Sequence, residues 1–282
     1  MKTLARILTF SSAVILFSTT ASLADPYSFP SNGLDAQSLG RGGTVIAGAP
    51  GVWSSFGNPA TLIPAKQYIL GVDYLNQRDI SEESWGFSIV DTSSTMRGAF
   101  SYYTNPDFAG FTKKMWGLSF SQTLTHDLYL GESYHMGDYE PETAPGTKKS
   151  INTFDAGLLY KLGPHVSLGY VIHNLLPSDS DLLEKYTGMG IGMRFPMTIY
   201  FTADYEEDPA NTSDKNLRTG IEFDPFARIT GRIGYQDLAD GRSYLSLGIT
   251  YRDNNGTVDG AIQYNDKTDK TDRVVLGLSI RM

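Results

Sequence analysis

Five arginines, Arg194, Arg218, Arg228, Arg232 and Arg252, stand in short runs where polar and apolar residues alternate. A guanidinium presents a planar fork of donors that fits a carboxylate. Arg228, Arg232 and Arg252 fall on neighbouring runs and could draw an acid headgroup along a pore. The same face collects Arg97, Asp155, Lys161, Asp204, Glu206, Glu222, Asp259 and Arg281. With both signs present, the other reading is a network of charge-assisted hydrogen bonds that satisfies a polar interior and selects nothing.

Other chemistries are thinly supplied. His126 and His165 fall in expected tight turns, while His135 and His173 lie near expected strand ends with Ser133 and Asn174 close by. No Gly-x-Ser-x-Gly run is present, so no catalytic residue is assigned and no enzyme is expected. The absence of Cys removes disulfides, thiolate metal sites and Cys nucleophiles. Asp179 and Asp181, or Asp266, Asp269 and Asp272, could gather oxygen ligands, but without the spacing of a calcium loop. Solvated loops that bridge lipopolysaccharide through divalent cations are the simpler reading, and no resident metal or cofactor is expected. Removal of Lys2 and Arg6 with a leader would leave 21 basic against 31 acidic residues, a balance that argues against nucleic acid as a partner.

The elements that must position these residues read as strands. Lys2 and Arg6 precede an apolar run over 7–17 and a small-residue site at Ser22-Leu23-Ala24, the pattern of a secretory signal peptide over 1–24. Beyond it, 17 Tyr, 14 Phe and 29 Gly combine with a mean hydropathy of −0.23, as strands with one apolar and one polar face would give. In the last run Val274, Leu276, Leu278, Ile280 and Met282 share one face, with Val275, Gly277, Ser279 and Arg281 on the other. The expected strands are 67–76, 83–90, 95–103, 114–124, 128–137, 151–162, 166–174, 185–195, 197–206, 215–223, 227–236, 243–252, 257–265 and 273–282. Most approach the 9–11 residues of a tilted strand that crosses a bilayer, where soluble strands average about 5 or 6.

Tight connections at 91–94, 125–127, 163–165, Pro196, 224–226 and 253–256 alternate with longer polar ones, which matches the two rims of an outer-membrane barrel. The predicted fold is therefore an all-β transmembrane antiparallel barrel of about 14 strands over 66–282. It would lie in the outer membrane of a Gram-negative bacterium with both termini periplasmic. Tyr74, Tyr102, Tyr170, Tyr205, Tyr235 and Tyr264 lie late in odd-numbered strands, as an interfacial girdle would. Expected partners are outer-membrane lipids and lipopolysaccharide, the barrel-assembly machinery, a hydrophobic ligand and, on a second reading, a secreted protein docked on the loops. A soluble β-sandwich fits the strand lengths poorly.

One stretch, 33–62, resists the strand pattern and is too rich in Gly to form a core alone. It is read as part of a segment over 25–65 that lies inside the barrel. Its Ser38-Leu39-Gly40-Arg41-Gly42-Gly43, followed by Asn58-Pro59-Ala60 and Leu62, resembles the N-terminal signature of the long-chain fatty acid transporter (FadL) superfamily, closest to its small PorV/PorQ-like branch. The run 166–175, which ends in Asn174-Leu175, resembles that branch too. The resemblance implies a 14-stranded barrel with an internal N-terminal hatch that includes Gly40, Arg41, Gly42, Gly43, Asn58, Pro59 and Ala60. It also implies passive uptake of hydrophobic small molecules or, as in PorV-like proteins, a docking role in secretion or envelope assembly. Two features depart from the family pattern. An acidic pair usual before Asn-Pro-Ala is replaced by Ala47-Gly48-Ala49-Pro50-Gly51, and the last residue is Met282 where an aromatic is usual.

Overall fold

The computed structural model describes residues 35–48, 55–62, 67–78, 82–106, 111–141, 146, 149–176, 185–209, 215–239, 241–267 and 270–282. The leader read over 1–24 lies outside them, as do Asp179, Asp181 and Asp269. Fourteen strands follow in chain order: β1 (Tyr68–Gln77), β2 (Glu82–Asp91), β3 (Met96–Pro106), β4 (Phe111–Thr125), β5 (Leu128–Pro141), β6 (Lys149–Leu162), β7 (Val166–His173), β8 (Tyr186–Phe195), β9 (Ile199–Glu207), β10 (Lys215–Phe226), β11 (Ile229–Asp237), β12 (Ser243–Asp253), β13 (Gly256–Asn265) and β14 (Lys270–Arg281). Each pairs antiparallel with its neighbours in sequence, and β1 pairs with β14 to close the barrel. At the seam Tyr68 and Met282 exchange backbone hydrogen bonds of 3.1 and 2.9 Å. Closure leaves no open sheet edge, which is what a backbone immersed in lipid requires.

Alternation along the strands sorts side chains as the sequence pattern predicts. Leu276, Leu278 and Ile280 face outward and exposed, whereas Val275 and Ser279 face the lumen and are buried. The six predicted tyrosines all stand on the outward face. Met189 pairs with both Tyr170 and Tyr205, and Leu245 with both Tyr235 and Tyr264, which sets these rings in matched pairs toward the long-loop rim. A second set, Tyr68, Tyr160, Phe195, Phe226 and Tyr251, lies exposed near the tight-turn rim. The barrel thus carries an aromatic girdle at each end. Away from the strand ends, the described outward positions are apolar, small or neutral polar, with one exception. Glu132 in β5 sits outward between Phe120 and Ala156.

Strand ends differ from expectation where a turn residue continues the ladder. The turn expected over 224–226 belongs to β10, which extends to Phe226 past a register shift after Phe223. Pro196, expected as an abrupt turn, opens a 3-10 turn (Pro196–Thr198), because its fixed φ suits a first helical position. In β7 the ladder stops at His173, since Asn174 has a φ of 53° and turns the chain away.

The core lies inside the barrel. Residues 35–48 and 55–62 pack on inward-facing side chains in three clusters: Ala36 and Leu39 with Leu75, Ala261 and Val275; Phe56 and Leu62 with Tyr103, Met115 and Ile151; and Ala47 and Ala60 with Tyr129 and Leu159.

Candidate functional site

The inner segment begins with a short helix, α1 (Ala36–Gly40), capped by Asp35, whose carboxylate accepts from the Ser38 N–H at 2.7 Å. Gly42 and Gly43 end it, with φ of 70° and 80°. Their N–H groups donate to the Leu39 and Ser38 carbonyls at 2.9 and 2.8 Å, the paired bonds of a Schellman stop, which needs a residue at ease in the left-handed region. A side chain on Gly42 would also strike the backbone of Tyr235 and Thr219, and one on the wall's Gly234 would strike Gly42. Glycine on both surfaces lets backbone lie on backbone, and this accounts for the run Gly40-Arg41-Gly42-Gly43.

Asn58 fixes the second part of the segment. Its amide donates to the Ile46 carbonyl at 2.8 Å and to the Leu158 carbonyl of β6 at 3.0 Å, while its oxygen accepts from Ala60 N–H at 3.0 Å. Pro59 then opens a 3-10 turn (Pro59–Thr61). A Cβ on Gly157 or Gly131 of the wall would overlap Asn58 or Ala60. The turn geometry and the wall contact expected of Asn58-Pro59-Ala60 are therefore the same structure.

Charged groups join the segment to one half of the wall. Glu222 of β10 takes Arg41 of the segment at 3.2 Å and Arg232 of β11 at 2.8 Å, with both guanidinium side chains nearly inaccessible to solvent. Beyond Arg232 the bonds continue through Thr250 to Asp259 and Thr257, and Thr257 meets Ser279 at 2.8 Å. Arg218 is buried against Glu206. Asp204 accepts from Val45 N–H at 2.5 Å and Ile46 N–H at 2.9 Å, with the Thr44 and Thr202 hydroxyls 2.7 Å apart beside them.

The cations nearer the tight-turn rim are held differently. Arg97 is buried, donates to the Ser121 carbonyl and the Thr123 hydroxyl, and lies 5.6 Å from the Tyr129 ring centre. Lys161 approaches the same ring at 5.4 Å, and Arg194 lies over the Tyr200 ring at 5.2 Å. Lys161, His165, Arg194 and Tyr200 line a cavity of about 220 Å³ near the tight-turn rim, walled on one side by Ala47 and Gly48 of the inner segment. The Ala47 carbonyl accepts from the Ser167 hydroxyl at 2.9 Å and the Tyr200 hydroxyl at 3.1 Å.

The trio Arg228, Arg232 and Arg252 does not form a common site. Arg228 lies in the β10–β11 turn, with 59% of its side chain exposed, beside Asp253 at 3.5 Å and the Tyr251 hydroxyl at 3.4 Å. Its predicted place in the lumen is corrected, because the strand that would have turned it inward starts only at Ile229. Arg232 is held by Glu222, and Arg252 is half-buried on the inward face near the tight-turn end of β12. Arg218 and Arg194 do face the lumen, the first paired and the second beside the cavity.

His135 was expected near a strand end and lies instead within β5. It meets Asp155 through Nε2 at 3.2 Å, and His173 reaches the same carboxylate oxygen through Nδ1 at 2.9 Å. The second oxygen of Asp155 accepts from Asn174 N–H at 2.9 Å, so one buried carboxylate ties two strands to the turn that ends β7. Phe56 stacks on His135 at 5.0 Å, and a ladder of Ser55, Ser101 and Ser88 hydroxyls at 2.8 Å runs alongside. Distance in sequence hid this cluster, as Asp155 is 20 and 18 residues from the two rings. Among the described residues no group of three His, Cys, Asp or Glu could hold a metal ion, and Asp272 instead accepts from Asn265 at 3.0 Å.

No protein-family profile and no curated protein matches this sequence. Solved structures do match in fold. The toluene transporter TodX of Pseudomonas putida superposes with a TM-score of 0.64 at 13% identity, over 89% of this chain and 97% of that one. The toluene transporter TbuX of Ralstonia pickettii gives 0.58 at 14% identity, over 89% and 98%. A deltaS2 mutant of the TodX monoaromatic hydrocarbon channel gives 0.62 at 14%, over 90% and 98%. The 14-stranded fold expected from the FadL-type resemblance is the fold these neighbours share, and the comparisons do not confirm the finer PorV/PorQ-like assignment.

Proposed function

We propose that the chain is a passive channel for hydrophobic small molecules in the outer membrane of a Gram-negative cell, with the inner segment as its hatch and the tight turns and both termini on the periplasmic side. The observation that carries this reading is a lumen filled by a chain segment held through side chains, inside a wall whose outer face is apolar. A static core could use plain apolar packing. Polar bonds that reform on alternative partners suit a segment that shifts. The neighbours of like fold, described as toluene transporters, point to apolar cargo. The protein-docking alternative would use apolar loop residues at 105–111 and 175–177, of which Leu176 is exposed while 107–110 and Pro177 lie outside the described residues.

The chain's lack of Cys permits a clean test. Ser55 of the hatch and Ser101 of the wall have hydroxyls 2.8 Å apart, so S55C with S101C should form a disulfide that locks one to the other. Uptake of a labelled fatty acid and of toluene by cells should fall on oxidation and return on reduction. Uptake that survives the lock would make the segment a fixed plug and remove its gating role.

A further inference from the structure

The cavity near the tight-turn rim joins basic groups to an apolar wall, with Asp127 close to Lys161 and Glu222 beside Tyr200 just outside its lining. Lys161, His165 and Arg194 line it, together with Leu159, Val166 and Tyr200, and none of the described lining residues is a carboxylate. We propose that this cavity binds a small organic acid, with its carboxylate between Lys161 and Arg194 and its apolar body against Leu159, Val166 and the Tyr200 ring.

The charge argument rests on a contrast inside one lumen. Arg41 and Arg232 share Glu222, and Arg218 has Glu206. Lys161 rests on the Tyr129 ring with the Asp127 carboxylate nearby, and Arg194 on the Tyr200 ring, whose neighbour on the other strand is Glu222; neither cation forms a described ion pair. A ring face steers a cation and leaves its net charge in place, because the attraction is to a quadrupole and transfers no counter-charge. Arg97, the third cation of this arc, also lies over Tyr129 and bonds only neutral oxygens. Cations concentrated against a low-dielectric wall attract an anion from outside.

Size sets the class of anion. A cavity on the order of 150 Å³ holds benzene. About 220 Å³ accepts one ring or a short branched chain with a carboxylate. The site also touches the hatch, because the Ser167 and Tyr200 hydroxyls that face it hold the Ala47 carbonyl. An acid that recruits either hydroxyl competes with that bond and so loosens the hatch from its tight-turn side. As a step of uptake this role rests on the channel reading above, while binding itself does not.

The test is calorimetric titration of the purified full chain in detergent with benzoate, benzyl alcohol and inorganic phosphate. Benzoate should saturate one site, benzyl alcohol should bind at least tenfold more weakly, and phosphate should fail to displace benzoate at equal concentration. The double variant K161Q/R194Q should weaken benzoate at least tenfold, K161R/R194K should restore most of it, and R228Q, outside the lumen, should leave it unchanged. Should the double variant lose its heat-modifiable gel mobility, R194Q alone at its exposed position should weaken benzoate threefold or more. No saturable binding, equal binding of the alcohol, displacement by phosphate or indifference to the variants would each overturn the assignment. Binding without uptake of benzoate by cells would keep the site and remove its place in transport.

Discussion

Arg232 and Arg194 face the same lumen from β11 and β8, and they are treated in opposite ways. Arg232 is buried, bonded to Glu222 at 2.8 Å, and part of a chain of bonds that runs through Thr250 and Asp259 to Ser279. Arg194 stands exposed at the rim over a tyrosine ring. Burying a guanidinium costs several kcal/mol unless a carboxylate and further hydrogen bonds offset it, so the first arginine must be paired. The second keeps water at the rim and forms no ion pair among the described residues, so its charge is available to a ligand. Between these two arginines burial and pairing go together, whereas Arg97 is buried over the Tyr129 ring with neutral oxygens as its described partners, so burial alone does not assign an arginine to structure.

The strongest way to break this contrast is to remove the shared carboxylate. Glu222→Gln strips the counter-charge from two buried guanidinium groups at once, Arg41 of the inner segment and Arg232 of the wall. The expected loss is about 3–5 kcal/mol of folding stability in lipid, read as a lower urea midpoint for tryptophan emission. Protease cleavage within 35–48 should also rise, since Arg41 is one of the bonds that hold the segment. A midpoint shifted by less than about 1 kcal/mol would show that the paired charges do not carry the barrel.

Asn58→Ala comes next. It removes the bonds to Ile46 and Leu158 and leaves buried carbonyls without their donor, at a cost of about 2 kcal/mol. Because the bond to Leu158 joins the inner segment to the wall and the bond to Ile46 joins its two parts, the loss should appear mainly as leak conductance in planar bilayers. A stability loss with no change in conductance would make Asn58 a folding residue and nothing more.

Much of this was legible beforehand, and the failures have a common cause. Period-two alternation placed Arg218, Arg232, Asp204 and Glu222 in the lumen, since a strand leaves each side chain only two directions. Glycine density marked the inner segment, because close approach of backbones leaves a compositional trace. Arg228 went wrong because its direction depends on where a strand begins, which is the least determined part of a strand from sequence. The His135–Asp155–His173 cluster and the division into paired and unpaired cations were hidden, as both depend on register across strands far apart in the chain. The second aromatic girdle was missed because its members sit at strand starts and ends, where Tyr68, Phe195 and Phe226 read as turn flanks.

Glu132 extends the contrast to the outside of the barrel. Its outward carboxylate lies between Phe120 and Ala156 in the apolar band, away from the charges of the lumen. A carboxylate on the lipid face costs stability, by less than the roughly 2–4 kcal/mol of a basic residue at mid-depth. Glu132→Leu should therefore stabilise the barrel by about 1–2 kcal/mol in reversible unfolding from lipid vesicles. A destabilising result would mean that the carboxylate has a partner within the membrane.

The smallest expected effect is the most exacting test of the comparison. Arg194→Gln removes a charge whose described partner is the Tyr200 ring, and an exposed cation–ring contact is worth about 0.5–1 kcal/mol. Stability should change by no more than that, while Glu222→Gln, on the other side of Tyr200 in the same lumen, costs several times as much. The cation at Arg194 would then be nearly dispensable for folding, as a group kept for binding should be. A loss near 3 kcal/mol would place Arg194 with Arg232 among the structural charges and dissolve the distinction between the two arginines.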